Sequence, residues 1–201
     1  MRNILKSLII EKPTVVKKGE NLNEALKKMK EYNNIPVIDE NNKYIGVISK
    51  VPSYEAILEN ENAKNSTVDN FLIEYTPVTL DDTLDEIIAK LKEARCLFLP
   101  VVNEDKELLG IIPNKQMLNL FSNSIGSENK GENLVVVYRD MKGVLSRLTA
   151  KLFKENVSII SITIVNLEVM NLRKVFCKVD ADHEKVEEIK EKLKKNGFNV
   201  Q

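Results

Sequence analysis

The chain has 201 residues, enough for one domain or two with a sizeable core. With 43% hydrophobic and 30% charged residues it has the composition of a soluble globular protein, and equal numbers of Lys plus Arg (30) and Asp plus Glu (30) leave no bulk positive field to recruit nucleic acid. The longest apolar run, VSIISITIV at 157–165, falls far short of the roughly 20 residues that span a bilayer, and the start of the chain has no signal-peptide core, so a cytoplasmic protein binding neither nucleic acid nor membrane is expected.

Residues 14–29 recur at 76–91, an offset of 62. Asn21 with Glu24 and Thr83 with Glu86 have the spacing of capping boxes, so a helix is predicted to begin after each. Leu22, Ala25, Leu26 and Met29 fall on Leu84, Ile87, Ile88 and Leu91, the i, i+3, i+4, i+7 spacing of one buried helical face. An apolar strand follows in both copies, IPVID at 35–39 and LPVVN at 99–103, now at an offset of 64 because the first copy is two residues shorter beforehand. A polar turn and a second strand come next, ending in GVISKVP (46–52) and GIIPNKQ (110–116), and a last helix is predicted over about 53–59 and 114–121. Each copy reads strand, helix, strand, turn, strand, helix.

The stretch SNSIGSENKGEN at 122–133 is rich in Ser, Asn and Gly, and residues 123–132 read as a linker. From Leu134 the order changes. LVVVY is a strand, and Val144 opens a helix predicted to turn Leu145, Leu148, Leu152 and Phe153 inward. VSIISITIV and RKVFCKV are strands, a helix carries Val186, Ile189 and Leu193 inward, and FNV closes the unit. The order βαββαβ predicts a ferredoxin-like sandwich, which makes the whole chain α+β.

Cys96 and Cys177 sit in apolar surroundings without CxxC spacing and read as buried thiols; the single histidine, His183, lies at a helix start and reads as a surface residue. No metal site, P-loop, HExxH or GxSxG occurs, and Asp81 with Asp82 is explained by capping, so no catalytic residue is expected and the protein reads as a non-enzyme.

The ordered duplication VVKKGENLNEALKKM…IPVID…YIGVIS and PVTLDDTLDEIIAKL…LPVVN…LLGII resembles the tandem CBS-domain pair, or Bateman module, with repeats at 1–62 and 63–122. YRDMKGVLSRLTAKLFKENVSIISI resembles the ACT domain and places one at 133–201. Asp140, Gly143, Val144 and Leu145 match its first turn and helix, while Lys142 replaces the usual Pro and Ser158 the frequent Asn. A CBS pair followed by an ACT domain is similar to the acetoin-utilisation AcuB-like group.

The CBS resemblance implies a regulatory adenosine nucleotide or S-adenosylmethionine, not a catalytic cofactor. Ile35, Pro36, Phe98 and Pro100 would hold the adenine, with Thr76, Ser49, Gln116 and the backbone of Gly46 and Gly110 around the rest. In that family a Ser or Thr after the Gly-aliphatic pair contacts phosphate and an Asp three residues on accepts both ribose hydroxyls. Here Ser49 keeps the hydroxyl, but Pro52 stands at the first Asp position, and Pro113 with Gln116 fills both positions in the second copy. Losing a charged bidentate bond costs on the order of 1.5–3 kcal/mol, one to two decades of affinity.

The ACT resemblance implies an amino acid or small carboxylate at the turn of Asp140, Met141, Lys142 and Gly143 and the helix start at Val144 and Leu145. Backbone N–H groups and the helix dipole favour an anion there, and Ser158 and Ile159 of a partner subunit would close the site. Both modules imply a homodimer and a regulated metabolic enzyme as partner. A sensor of small metabolites is the function expected; a ligand-free structural or adaptor module is the alternative.

Overall fold

The computed structural model describes residues 2–29 and 32–201. The chain forms two units, dividing between Leu118 and Asn119. In chain order the first contains α1 (Arg2–Leu8), β1 (Ile10–Glu11), β2 (Val16–Lys17), α2 (Leu22–Lys28), β3 (Asn34–Ile38), β4 (Tyr44–Ser49), α3 (Lys50–Glu59), two short 3-10 turns (Glu61–Asn65 and Val68–Phe71), α4 (Leu84–Glu93), β5 (Phe98–Val102), β6 (Leu108–Pro113) and the start of α5 (Asn114–Ser124).

Its two three-stranded sheets have the orders β2-β3-β4 and β1-β6-β5. Each repeat thus receives a strand from the segment preceding the other: Ile10 pairs with Ile111, while Ile73 pairs with Val47 through two hydrogen bonds of 2.9 Å. These pairings are equivalent, Val47 and Ile111 being 64 residues apart and Ile10 and Ile73 63, and under the 64-residue offset so are the bonds Tyr44 N–H to Lys106 O and Leu108 N–H to Asn42 O, both 2.9 Å. The sequence repeat is therefore an internal pseudo-twofold. The first strand predicted for the second repeat shrinks to one bridge, Val78 with Val101, although Val78 remains fully buried.

Helix α2 buries Leu22, Ala25, Leu26 and Met29 against Val16, Ile35, Val37 and Ile48, as the periodicity predicts. The Thr83 capping box is complete. At α2 only half forms: Asn21 caps Asn23 and Glu24, but the Glu24 carboxylate pairs with Lys27 at 2.7 Å instead of reaching back. A lysine one turn along, at i+3, competes for the same carboxylate.

The second unit comprises β7 (Glu132–Arg139), α6 (Val144–Lys154), β8 (Ser158–Asn166), β9 (Leu172–Asp180), α7 (His183–Lys195) and β10 (Asn199–Val200). Its sheet order, β10-β7-β9-β8, is the ferredoxin-like arrangement, entirely antiparallel. Leu134, Val136, Val175, Cys177 and Val179 alternate onto the face covered by Leu148 and Leu152 of α6 and Val186, Ile189 and Leu193 of α7. Phe153, expected inward, is 81% exposed. At about 100° per residue it stands a quarter-turn beyond Leu152, off the stripe formed by Val144, Leu148 and Leu152.

Residues 123–132, expected as a linker, begin inside α5 and then follow the sheet. Ser161 Oγ donates to Ile125 O and Lys178 Nζ to Gly126 O, both at 2.8 Å. Gly131, at φ 133°, lies so near β9 that a Cβ would stand 2.4 Å from Val179 O. Among the described residues no helix is long and apolar enough to cross a membrane.

Candidate functional site

The four residues Glu74 to Pro77 form a strap between the two sheets of the first unit. At one end Ile73 is fixed to β4; at the other Val78 N–H donates to Pro100 O at 2.8 Å and Val78 O accepts from Val102 N–H at 2.9 Å. Lys90 Nζ donates to Pro77 O at 3.0 Å, and its ion pair with Asp82 holds it in place. Tyr44 OH donates to Tyr75 O at 3.2 Å. Burial lifts the Tyr44 phenol above its ordinary range, so it keeps its proton and its donor role at neutral pH.

A cavity of about 450 Å³ opens beside this strap, within the size range of small-ligand sites. The strap itself, Tyr44 and Ile45 of β4, and Lys106 of the β5–β6 turn line it. Lys106 is held with φ 65° by the bonds its backbone makes to Tyr44 and Asn103. Its ammonium, like the Glu74 carboxylate, has no ion-pair partner among the described residues. The cavity therefore offers two phenol rings, one hydroxyl from Thr76, one carboxylate and one cation.

The structure places the other residues expected at a nucleotide site within the sheets and helix starts. Ser49 is buried at the end of β4, where its hydroxyl accepts from Asn34 Nδ2 and its carbonyl from Ser53 Oγ at 2.7 Å. Asn34 and Ser49 face each other across β3 and β4; the equivalent pair in the second repeat is Phe98 and Pro113. A polar pair has been exchanged whole for an apolar one. Pro113 is the last residue of β6, whereas Pro52 is the third residue of α3, within the first turn that tolerates proline.

Ile35, Pro36, Phe98 and Pro100 are buried sheet residues, and Gln116 is half-buried in the first turn of α5. Beside it Asn114 Nδ2 donates to Cys96 O at 3.0 Å, leaving Asn114 Oδ1 buried without a partner. Gly46 and Gly110 are pressed against Ile73 and Ile10, so their lack of a side chain serves the strand pairing. Of the expected residues Thr76 lines the cavity. Tyr44, Glu74, Tyr75 and Lys106 were missed, and the available signal was the repeat itself: Tyr44 aligns with Leu108 and Lys106 with Asn42.

In the second unit Gly143 starts α6 in the left-handed region, φ 81°, with no side-chain cap and open space where a Cβ would be. Asp140 is occupied by Arg173 at 2.6 Å. Met141 and Val144 line a cavity of about 310 Å³ together with Arg139, Arg147 and Phe198, while Lys142 is exposed and Leu145 half-buried. Ser158 and Ile159 do not meet this turn. Arg139 pairs with Leu172 at one end of β9 and Ser158 with Asp180 at the other, eight residues or roughly 26 Å away. Both cysteines are buried, Cys177 with its thiol pushed up to about 11 by burial, and among the described residues no cluster of His, Cys, Asp or Glu could hold a metal.

The first unit is thus a tandem of like α/β repeats that exchange strands about a pseudo-twofold. The CBS domain family model matches residues 5–51 and 73–123, and the unit is a CBS domain pair. Among solved structures, Listeria monocytogenes CbpB in complex with c-di-AMP is 29% identical, with a TM-score of 0.53 over 61% of this chain and 98% of that one. A CBS domain pair/ACT domain protein from Thermotoga maritima is 22% identical, with a TM-score of 0.50 over 59% of this chain and 95% of that one. A CBS domain pair in complex with 5′-methylthioadenosine and S-adenosyl-L-methionine is 20% identical, also at 0.50, over 59% and 94%. Among curated proteins, homoserine O-acetyltransferase of Methanococcus vannielii is 23% identical over 119 residues; the matched stretch is 58% of this chain but only 24% of that enzyme.

Proposed function

We propose that the chain is a non-catalytic regulatory protein whose CBS pair binds an adenosine-type ligand and reports occupancy through a change in domain or subunit arrangement. The cavity of about 450 Å³ beside the strap carries this reading, because it combines two aromatic faces with a cation, a carboxylate and a hydroxyl. The ligands named for the similar structures, c-di-AMP in one and methylthioadenosine with S-adenosylmethionine in another, support the adenosine class. The acetyltransferase match gives no support to catalysis here, since about three quarters of that enzyme lies outside it.

The second unit is read as an ACT domain in a homodimer, taking an amino acid or small carboxylate. The distance between Asp140 and Ser158 supports the dimer: one protomer cannot bring them to a single ligand, whereas two could. A regulated metabolic enzyme is the partner this implies.

The test is a thermal-shift panel of AMP, ADP, ATP, c-di-AMP, S-adenosylmethionine and the amino acids. Ligand at about 100 times its dissociation constant stabilises by about 2.7 kcal/mol and should raise the midpoint by several degrees. A flat response would overturn the sensor reading in favour of a ligand-free adaptor, which the consumption of the Ser49 hydroxyl by Asn34 would then explain.

A further inference from the structure

The chain lacks an acid at both places where the repeats would hold a ribose, Pro52 and Gln116, and has lost the second hydroxyl at Pro113. The cavity beside the strap contains what is missing. We infer that Glu74 and Lys106 supply the replacement carboxylate and cation, so that the CBS pair binds one ribonucleotide per chain, its phosphate on Lys106 and its ribose hydroxyls on Glu74. This rests on the adenosine-ligand reading above and assigns its site and stoichiometry.

Three observations support it. Glu74 and Lys106 line the same cavity yet stand farther apart than the 4.0 Å of an ion pair, so each charge remains available to a ligand. An isolated carboxylate has two acceptor oxygens, which suit adjacent hydroxyl donors, and an ammonium has three donors for phosphate oxygens. Both side chains also spring from fixed backbone: Ile73 and Val78 bracket the strap with two bonds each, and Lys106 is tied by the Tyr44 N–H and its own bond to Asn103. Such preorganisation lowers the ordering cost of binding.

The pseudo-twofold supplies the argument for one ligand. At the equivalent cleft Leu108 and Asn42 stand for Tyr44 and Lys106 and the strap has Lys12 but no tyrosine, so both rings are gone and the cation moves from the turn to the strap. The equivalent strap, Glu11 to Val15, is one residue longer, with Lys12 at φ 55°. The two clefts therefore differ in both shape and chemistry.

Calorimetric titration of the full chain with AMP, adenosine and 2′-deoxy-AMP tests this. One AMP per chain is expected. Lys106→Ala should weaken AMP about tenfold and leave adenosine unchanged, while Glu74→Gln should weaken AMP about tenfold and 2′-deoxy-AMP much less; Gln116→Ala should change AMP affinity less than twofold. Two AMP per chain, or affinity lost in Gln116→Ala but kept in Glu74→Gln and Lys106→Ala, would overturn the assignment and leave the adenosine reading standing. So would binding of adenosine or S-adenosylmethionine without AMP. No binding of any adenosine compound would overturn both.

Discussion

Gly110 lies against Ile10 with no room for a side chain: a Cβ would stand 2.6 Å from the Ile10 carbonyl oxygen and 2.5 Å from Ile9 Cγ2. The counterpart, Gly46 against the Ile73 carbonyl, is looser at 3.1 Å. Because the Ile10 oxygen is backbone within the β1–β6 pairing, relief requires the strand to move. Gly110→Ala should cost about 1–3 kcal/mol, lowering the melting midpoint by roughly 2–10 °C in calorimetry. Gly46→Ala meets a looser contact but places a Cβ on backbone at φ 157°, so it loses stability through backbone strain as well; a Gly110→Ala loss below about 0.5 kcal/mol would show that strand exchange does not set the glycine requirement at Gly110.

The duplication was legible because helix faces and strands impose their periods on nearby residues, as in Leu22, Ala25, Leu26 and Met29. The cavity was not. Tyr44 and Lys106 meet through a hydrogen bond across 62 positions, and Glu74 is placed by Ile73 pairing with Val47; neither pairing leaves a local pattern. Ser49 shows a different limit. A serine after a glycine-aliphatic pair reads as a ligand contact, but its partner is Asn34, found only through the register of β3 and β4.

That partnership predicts a separation of stability from binding. Ser49→Ala removes the acceptor of Asn34 Nδ2 and should destabilise the first unit by about 1 kcal/mol while leaving AMP affinity within twofold. Thermal denaturation and calorimetric titration of the same variant read the two effects. A tenfold loss of affinity would return Ser49 to the ligand site.

The unequal helix caps make a second comparison. Thr83 and Glu86 exchange bonds, Glu86 accepting from Thr83 N–H at 2.7 Å and Thr83 Oγ1 accepting from Glu86 N–H at 3.3 Å. Glu86→Gln should be nearly neutral because an amide oxygen can still accept, whereas Thr83→Ala should cost about 1 kcal/mol. Glu24→Gln should leave the α2 cap intact and lose only the exposed Lys27 pair, a few tenths of a kcal/mol. Chemical denaturation distinguishes these, and a Glu24→Gln loss as large as that of Thr83→Ala would contradict the half-formed cap.

In the second unit, Lys192 bridges Glu155 and Glu188, both at 2.7 Å, and Lys185 reaches the same two carboxylates at 3.3 and 2.9 Å. Hydrogen bonds from Lys192 and Lys185 hold Glu188 down at about 2, and Lys192 leads the lowering of Glu155. Since both carboxyls bind protons less readily when folded, the unfolded chain takes up more protons as pH falls. Their stabilisation is therefore complete above about pH 4.5 and lost progressively towards pH 2. The lysines are raised, so their share is present below about pH 10.5 and lost above it. Melting of the chain between pH 5 and 2.5 should fall more steeply than in the Glu155→Gln/Glu188→Gln double variant. Because these groups lie at the surface, about 1 M salt should narrow the difference. Identical pH slopes at low salt would show that the four charges contribute nothing to holding α6 against α7.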